Sequence, residues 1–145
     1  MKGDRLRINC ENGYIQALGL AMFTFARLEW AAVWCAEKIE PGCINRLADR
    51  TAGNIARKLV ELAPLAPDDA RREKLIEAAE EFVRLVGRRN DIAHAKPCTA
   101  PDGAQRLDRR GEILTVEVID AASDDFVACE VVLVELLHAY LNAPG

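Results

Sequence analysis

The sequence predicts an all-α fold: an up-and-down four-helix bundle with a short β-hairpin inserted before the last helix. Three observations predict it. Half of the 145 residues are hydrophobic and 29% are charged, a balance suited to one core in one domain, so residues 1–145 are expected to form a single helical domain. Apolar residues recur at helical spacing through four long stretches. Between those stretches stand Pro41-Gly42, then Pro64 and Pro67, then Pro97, which end helices. Nine glycines and six prolines are too few for a linker or a disordered chain.

The first helix is expected from Tyr14 to Ile39. No proline interrupts it, Gly19 is its one poor helix former after Tyr14, and Pro41-Gly42 stops it. Up to Cys35 its polar positions are Gln16, Thr24, Arg27 and Glu29. A helix so apolar around its circumference must be covered on more than one side, so a second subunit is expected on the side away from its own bundle. Thr51 reads as the N-cap of the second helix, with Ile55, Leu59 and Leu62 on one face. The third helix begins near Pro67, with Asp68 and Asp69 in its first turn. Its stripe runs Leu75, Ala79, Phe82, Val86 and Ala93 until Pro97. Residues 99–104 read as loop. Residues 104–119 read as a hairpin turning near Arg110-Gly111, supported by the β-branched alternation of ILTVEVI. Asp120 or Ser123 is expected to cap the last helix, which runs to about Asn142.

Composition excludes several classes. No run reaches the ~18 uninterrupted apolar residues of a spanning helix, and MKGDRLRINC lacks the apolar region of a signal peptide. A soluble cytoplasmic protein without a membrane partner is therefore expected. Five cysteines, an odd number without CxxC spacing, argue against a disulfide framework or zinc ribbon. His94 and Cys98 lie four apart but Pro97 separates them and no second ligand pair follows, so no metal is expected. Phosphate-binding glycine loops and GxSxG are absent, and Ser123 is the chain's one serine, which removes nucleotide-loop and serine-hydrolase readings. No cofactor is expected.

The net charge of −4 opposes broad nucleic-acid binding, but its distribution is uneven. Residues 84–110 carry seven bases (Arg84, Arg88, Arg89, Lys96, Arg106, Arg109 and Arg110) against three acids, whereas residues 111–145 carry seven acids and no Lys or Arg. That basic island suits a short piece of nucleic acid or a small anionic group.

The segment Gly87–Pro97 holds the chemistry-bearing residues. At about 100° per residue, Asn90 and His94 lie ~40° apart on the helix, while Arg89 and His94 are ~140° apart. Arg89 and Asn90 both fall on the apolar stripe after Val86, where polar groups require partners if buried. One reading is structural. Asn90 and His94 would form a hydrogen-bonded pair finishing the helix, and Arg89 would pair with Glu29. The other reading is catalytic, through a proton-carrying His94 beside the fixed charge of Arg89.

RNDIAHA at the end of the third helix of a small bundle resembles the signature of HEPN domains (higher eukaryotes and prokaryotes nucleotide-binding). The family pattern is an Arg, often followed by a polar residue, then a His after four to six residues. Arg89, Asn90 and His94 match it, and the long first helix with a glutamate and the Thr-x-Gly start of the second agree with the layout. The resemblance implies a metal-independent endoribonuclease with Arg89, Asn90 and His94 as its catalytic residues, RNA as substrate and a homodimer as the working unit. Many members are toxins of toxin–antitoxin pairs or effectors of antiviral defence, so an antitoxin or other protein partner is expected. Others are non-catalytic binding or assembly modules, the alternative reading. The tyrosine that follows the histidine in the nucleotidyltransferase-partner branch is absent here, where Ala95-Lys96 stands. A histidine phosphotransfer bundle is a third reading, disfavoured because His94 lies just before a helix-stopping proline. His138 and the Trp30–Trp34 pair read as packing or dimer contacts, Arg71-Arg72 as a solvated face, and Arg109-Arg110 as a hairpin tip able to touch RNA.

Overall fold

The computed structural model describes residues 4–142, with only the backbone described at Arg5 and Leu6. Helix α1 (Asn12–Ile39) is unbroken and buries Tyr14, Ala17, Ala21, Phe25, Leu28, Ala32 and Cys35 on its inner side. Gly42, at a φ of 91° that glycine adopts at little cost, turns the chain into α2 (Ile44–Leu47), a single helical turn. The carboxylate of Glu37 accepts from the amides of Gly42 and Ile44 at 3.0 and 2.9 Å, which fixes this bend. Thr51 caps α3 (Ala52–Leu62) as expected, its hydroxyl accepting from Asn54 N at 3.3 Å. Helix α4 (Ala70–Ala93) follows. Asp69 is its cap, accepting from Arg71 N, rather than a member of its first turn.

The chain is mostly helical, but its inserted sheet and its helix order correct the expected layout. The sheet has three antiparallel strands in the order β1 (Lys96–Thr99), β2 (Gln105–Arg109), β3 (Glu112–Leu114). The β2–β3 turn falls at Arg110-Gly111 as expected, both with positive φ, the geometry that matches strand twist. The addition is β1, which spans Pro97 and enters residues read as loop. Pro97 is tolerated because β1 is an edge strand, where a missing N–H can face water. Strand β3 ends early because Thr115 accepts from Val118 N and caps α5 (Val116–Leu136) there. Neither Asp120 nor Ser123 is the cap. The last helix continues as a π-turn from Leu137 to Leu141.

There are five helices among the described residues, and their directions do not alternate. Tyr14 donates to Leu114 O, Phe25 meets Phe126 edge-on, and Arg27 pairs with Glu130, so α1 and α5 run parallel. Helix α4 is antiparallel to α5, since Arg71 reaches Ala139, Ala78 receives the Cys129 thiol, and Arg88 reaches Asp125. An up-and-down bundle would set α1 against α5. Residues 40–51 instead lead the chain partway back along α1 before α3 begins.

Phe25, Phe82 and Phe126 meet at the centre of the core, from α1, α4 and α5. Tyr14 locks the sheet to this core. Its hydroxyl donates to Leu114 O at 2.7 Å and accepts from Leu107 N at 3.0 Å, while the Arg106 guanidinium stacks on its ring. By length and composition alone α1 is long and apolar enough to cross a membrane, and 44% of its most apolar window is buried within the fold. Its outer face keeps Ile15, Leu20, Met22, Phe23, Trp30 and Trp34 exposed.

Candidate functional site

Helix α4 carries the RNDIAH segment to the end of the bundle next to the sheet. His94 is the C-cap: its amide donates to Asn90 O at 2.9 Å, and its side chain is exposed. A helix ends here because the chain turns directly into β1, whose second residue is Pro97. The exposed imidazole has no protein partner among the described residues, and the negative end of the helix dipole lies under it.

Arg89 takes a different direction. It lies on the core-facing stripe of α4, half-buried, with its guanidinium 4.9 Å from the centre of the Phe25 ring. Its Nε is buried and has no hydrogen-bond partner. Arg89 thus lies against the core and His94 on the exposed helix end, ~140° apart by helical spacing. Asn90 is half-buried between the two directions, and its side chain makes no hydrogen bond to His94.

The expected pairing of Glu29 with Arg89 is replaced by a looser relation. Glu29 is half-buried, and burial raises its carboxyl pKa more than the charge of Arg89 lowers it. No ion pair joins them. The contacts that a purely helix-finishing role requires, Asn90 to His94 and Arg89 to Glu29, are thus both missing.

The rest of the basic island is largely neutralised. Arg84 binds Glu81, Arg88 binds Asp125, Arg106 binds Glu11 at 3.2 Å, and Arg109 binds Asp91 at 3.2 Å. Two of these partners, Glu11 before α1 and Asp125 on α5, lie far along the chain, where a local charge count does not see them, while Glu81 and Asp91 belong to α4 itself. Arg110 at the hairpin tip and Lys96 remain without ion pairs among the described residues. A cleft of about 340 Å³ lies between this end of α4 and the sheet, lined by Arg88, Asp91, Arg109, Arg110 and Glu112 with Val118. It has three cations and two carboxylates, and it flanks the motif on the side of Arg88 rather than that of Asn90.

The other residues of interest sit apart from this end. Trp30 and Trp34 meet edge-to-face at 6.3 Å on the exposed side of α1. His138 is exposed on the last turn. Arg71, expected to be solvated, is held by Asp69 and lies over Tyr140. All five cysteines are free thiols, and burial pushes Cys35 and Cys129 up to about 12, so they stay protonated. Among the described residues no group of three or more His, Cys, Asp or Glu is placed to hold a metal ion.

The arrangement offers a solvent-facing proton carrier, an oriented guanidinium with a free donor, and an apolar helix face beside them. Glu29 follows Met22 by seven residues and Ala26 by three, so the Glu29–Arg89 edge borders the exposed face of α1. No family model, curated protein or solved structure matches this chain.

Proposed function

We propose that this protein is a metal-independent endoribonuclease of the HEPN type, acting in the cytoplasm as a homodimer with a composite site. One observation carries the reading. Arg84, Arg88, Arg106 and Arg109 of the same segment are each held by a carboxylate, whereas Arg89 and His94 of the motif have no polar side-chain partner. A half-buried guanidinium with an unused N–H costs free energy in the resting protein, and an anionic substrate would satisfy it.

The chemistry follows from the side chains. A His94 imidazole takes the proton of a ribose 2′-hydroxyl as its oxygen attacks the adjacent phosphorus. The P–O5′ bond breaks, and the His94 of a second protomer gives a proton to the departing 5′-oxygen. Products are a 2′,3′-cyclic phosphate and a 5′-hydroxyl. Arg89 holds the non-bridging oxygens as charge accumulates on them, and Asn90 orients phosphate or imidazole. The exposed face of α1 beside Arg89 suits assembly that sets two such half-sites together. A toxin or antiviral effector restrained by a protein partner is the biological setting this implies.

The test is cleavage of single-stranded RNA by purified protein in EDTA, with end-group analysis. Cyclic phosphate ends are expected, with Arg89→Ala and His94→Ala each lowering the rate at least ~100-fold, and Asn90→Ala lowering it less. Cleavage that survives in His94→Ala removes the proposal. The neutralised basic island favours one other reading, a non-catalytic assembly module. It predicts no cleavage of any RNA, and a lower melting temperature in the motif variants.

A further inference from the structure

Outside the basic segment, most arginines among the described residues are paired: Arg27 with Glu130, Arg71 with Asp69, Arg72 with Asp68. Two exceptions stand together. Arg50, exposed in the link between α2 and α3, has no side-chain partner among the described residues, and Arg57 reaches only the neutral amide oxygen of Asn54. Both line a groove of about 380 Å³ formed by α2, that link and α3. Arg46 and Lys58 complete its cationic wall, and Glu61 is its one carboxylate. Glu40, behind them, partly neutralises Arg46 at 2.6 Å and Lys58 at 3.5 Å.

With Glu61 also on Lys58 at 3.4 Å, the two carboxylates leave Arg50 and Arg57 as the groove's uncompensated cations, which an anion would pair. Guanidinium forks match phosphate oxygens in pairs. We propose that the α2–α3 groove binds adjacent phosphates of single-stranded RNA, as a contact separate from the RNDIAH motif. The choice of RNA over other polyanions rests on the ribonuclease reading; the presence of a phosphate site does not. Helices α3 and α4 are consecutive, packed together and joined by a short turn, so they run antiparallel. At 1.5 Å per residue, the motif end of α4 lies about 20 Å beyond the start of α3 along the bundle. A strand held in the groove is thereby set a few nucleotides away from His94.

The experiment measures fluorescence anisotropy of a labelled single-stranded RNA with full-length His94→Ala protein, which binds without turnover. Arg50→Gln/Arg57→Gln is expected to weaken binding about tenfold at low salt and to make the log–log salt slope shallower by about 1.4, the loss of two phosphate contacts on a single strand. Arg50→Lys/Arg57→Lys should recover most of the binding, and Arg72→Gln should change nothing. Both groove arginines are exposed, so the fold should survive, as circular dichroism would verify. Unchanged affinity in the double Gln variant overturns the site. Poly-glutamate that binds as tightly as RNA and is equally sensitive to the substitutions overturns the nucleic-acid assignment in favour of an acidic protein segment. With His94 intact, the double Gln variant should raise KM for RNA and leave kcat unchanged. Loss of binding in a protein that never cleaves supports the groove and removes the ribonuclease reading, so the two fail separately.

Discussion

The carboxyl of Glu29 sits half-buried on an apolar helix, where burial raises its pKa and Arg89 offsets that rise only in part. The sign of the consequence is opposite to that of a salt-bridged acid. A group whose folded pKa lies above its unfolded value contributes its stability at low pH and loses it as pH rises through the folded value. The unfolded value is near 4.5. Glu29→Gln, a neutral mimic of the protonated acid, should therefore raise the melting temperature modestly at pH 7. The gain should vanish in melts below about pH 4, where the wild-type carboxyl is itself neutral. A lower melting temperature at pH 7 would mean that attraction to Arg89 outweighs burial. At this scale the motif was legible as residues but not as contacts. Arg89, Asn90 and His94 could be picked out from RNDIAH, and helical spacing sets Arg89 and His94 ~140° apart. That Phe25, sixty-four positions earlier, would be the surface on which Arg89 lies could not be read from local spacing.

Among the elements, the sheet depends most on a single side chain. Tyr14 Oη bridges Leu107 N on β2 and Leu114 O at the end of β3. Tyr14→Phe keeps the ring under Arg106 but strands a donor and an acceptor, a cost of about 1–3 kcal/mol. At about 2–4 °C per kcal/mol for a chain near this size, the melting temperature should fall by several degrees. Hydrogen exchange should accelerate most in β2 and β3. A uniform loss of protection across the helices, with the sheet no worse than the rest, would show that Tyr14 serves the core instead. The helices were readable because caps and periodicity are local: Thr51 and the Arg110-Gly111 turn were found where expected. The errors share one cause. Val116–Ile119 alternates like a strand, yet the Thr115 cap and the packing of α5 on α1 make it helical. Strand β1 exists only because β2 is there to pair with it. The parallel run of α1 and α5 depends on how residues 40–51 redirect the chain, and helical periodicity carries no direction.

For the whole molecule, the outer face of α1 decides between a monomer and an assembly. Phe23, Trp30 and Trp34 are 62, 48 and 38% exposed, and Ile15, Leu20, Met22, Val127 and Val131 are 38–53% exposed around them. With roughly 200 Å² per aromatic side chain and somewhat less for the others, they present about 700 Å² of apolar surface. That exceeds the largest apolar patch of an ordinary monomer, about 300–600 Å², and approaches the ~800 Å² that each partner contributes to a stable interface. Val127 and Val131 of α5 continue the patch beside Leu20 and Phe23, so the proposed dimer contact is on α1 with its flank on α5. A two-fold contact there is self-complementary, because Arg27 and Glu130 lie within it as a charged pair among apolar side chains. Light scattering at tens of micromolar should report twice the 16.0 kDa chain mass. Phe23→Glu should return the single-chain mass with helical content unchanged. Leu65→Glu, at an equally exposed apolar residue away from this face, should leave the dimer intact. Because the proposed step needs His94 from two protomers, Phe23→Glu should also abolish RNA cleavage although it touches neither motif residue. Mixing wild-type protein with His94→Ala provides the sharper form of the test. Because the proposed step draws one His94 from each protomer, heterodimers with a single His94 should be inactive, and after subunit exchange cleavage should fall as the square of the wild-type fraction. A fall in direct proportion to that fraction would show that each His94 acts without its counterpart.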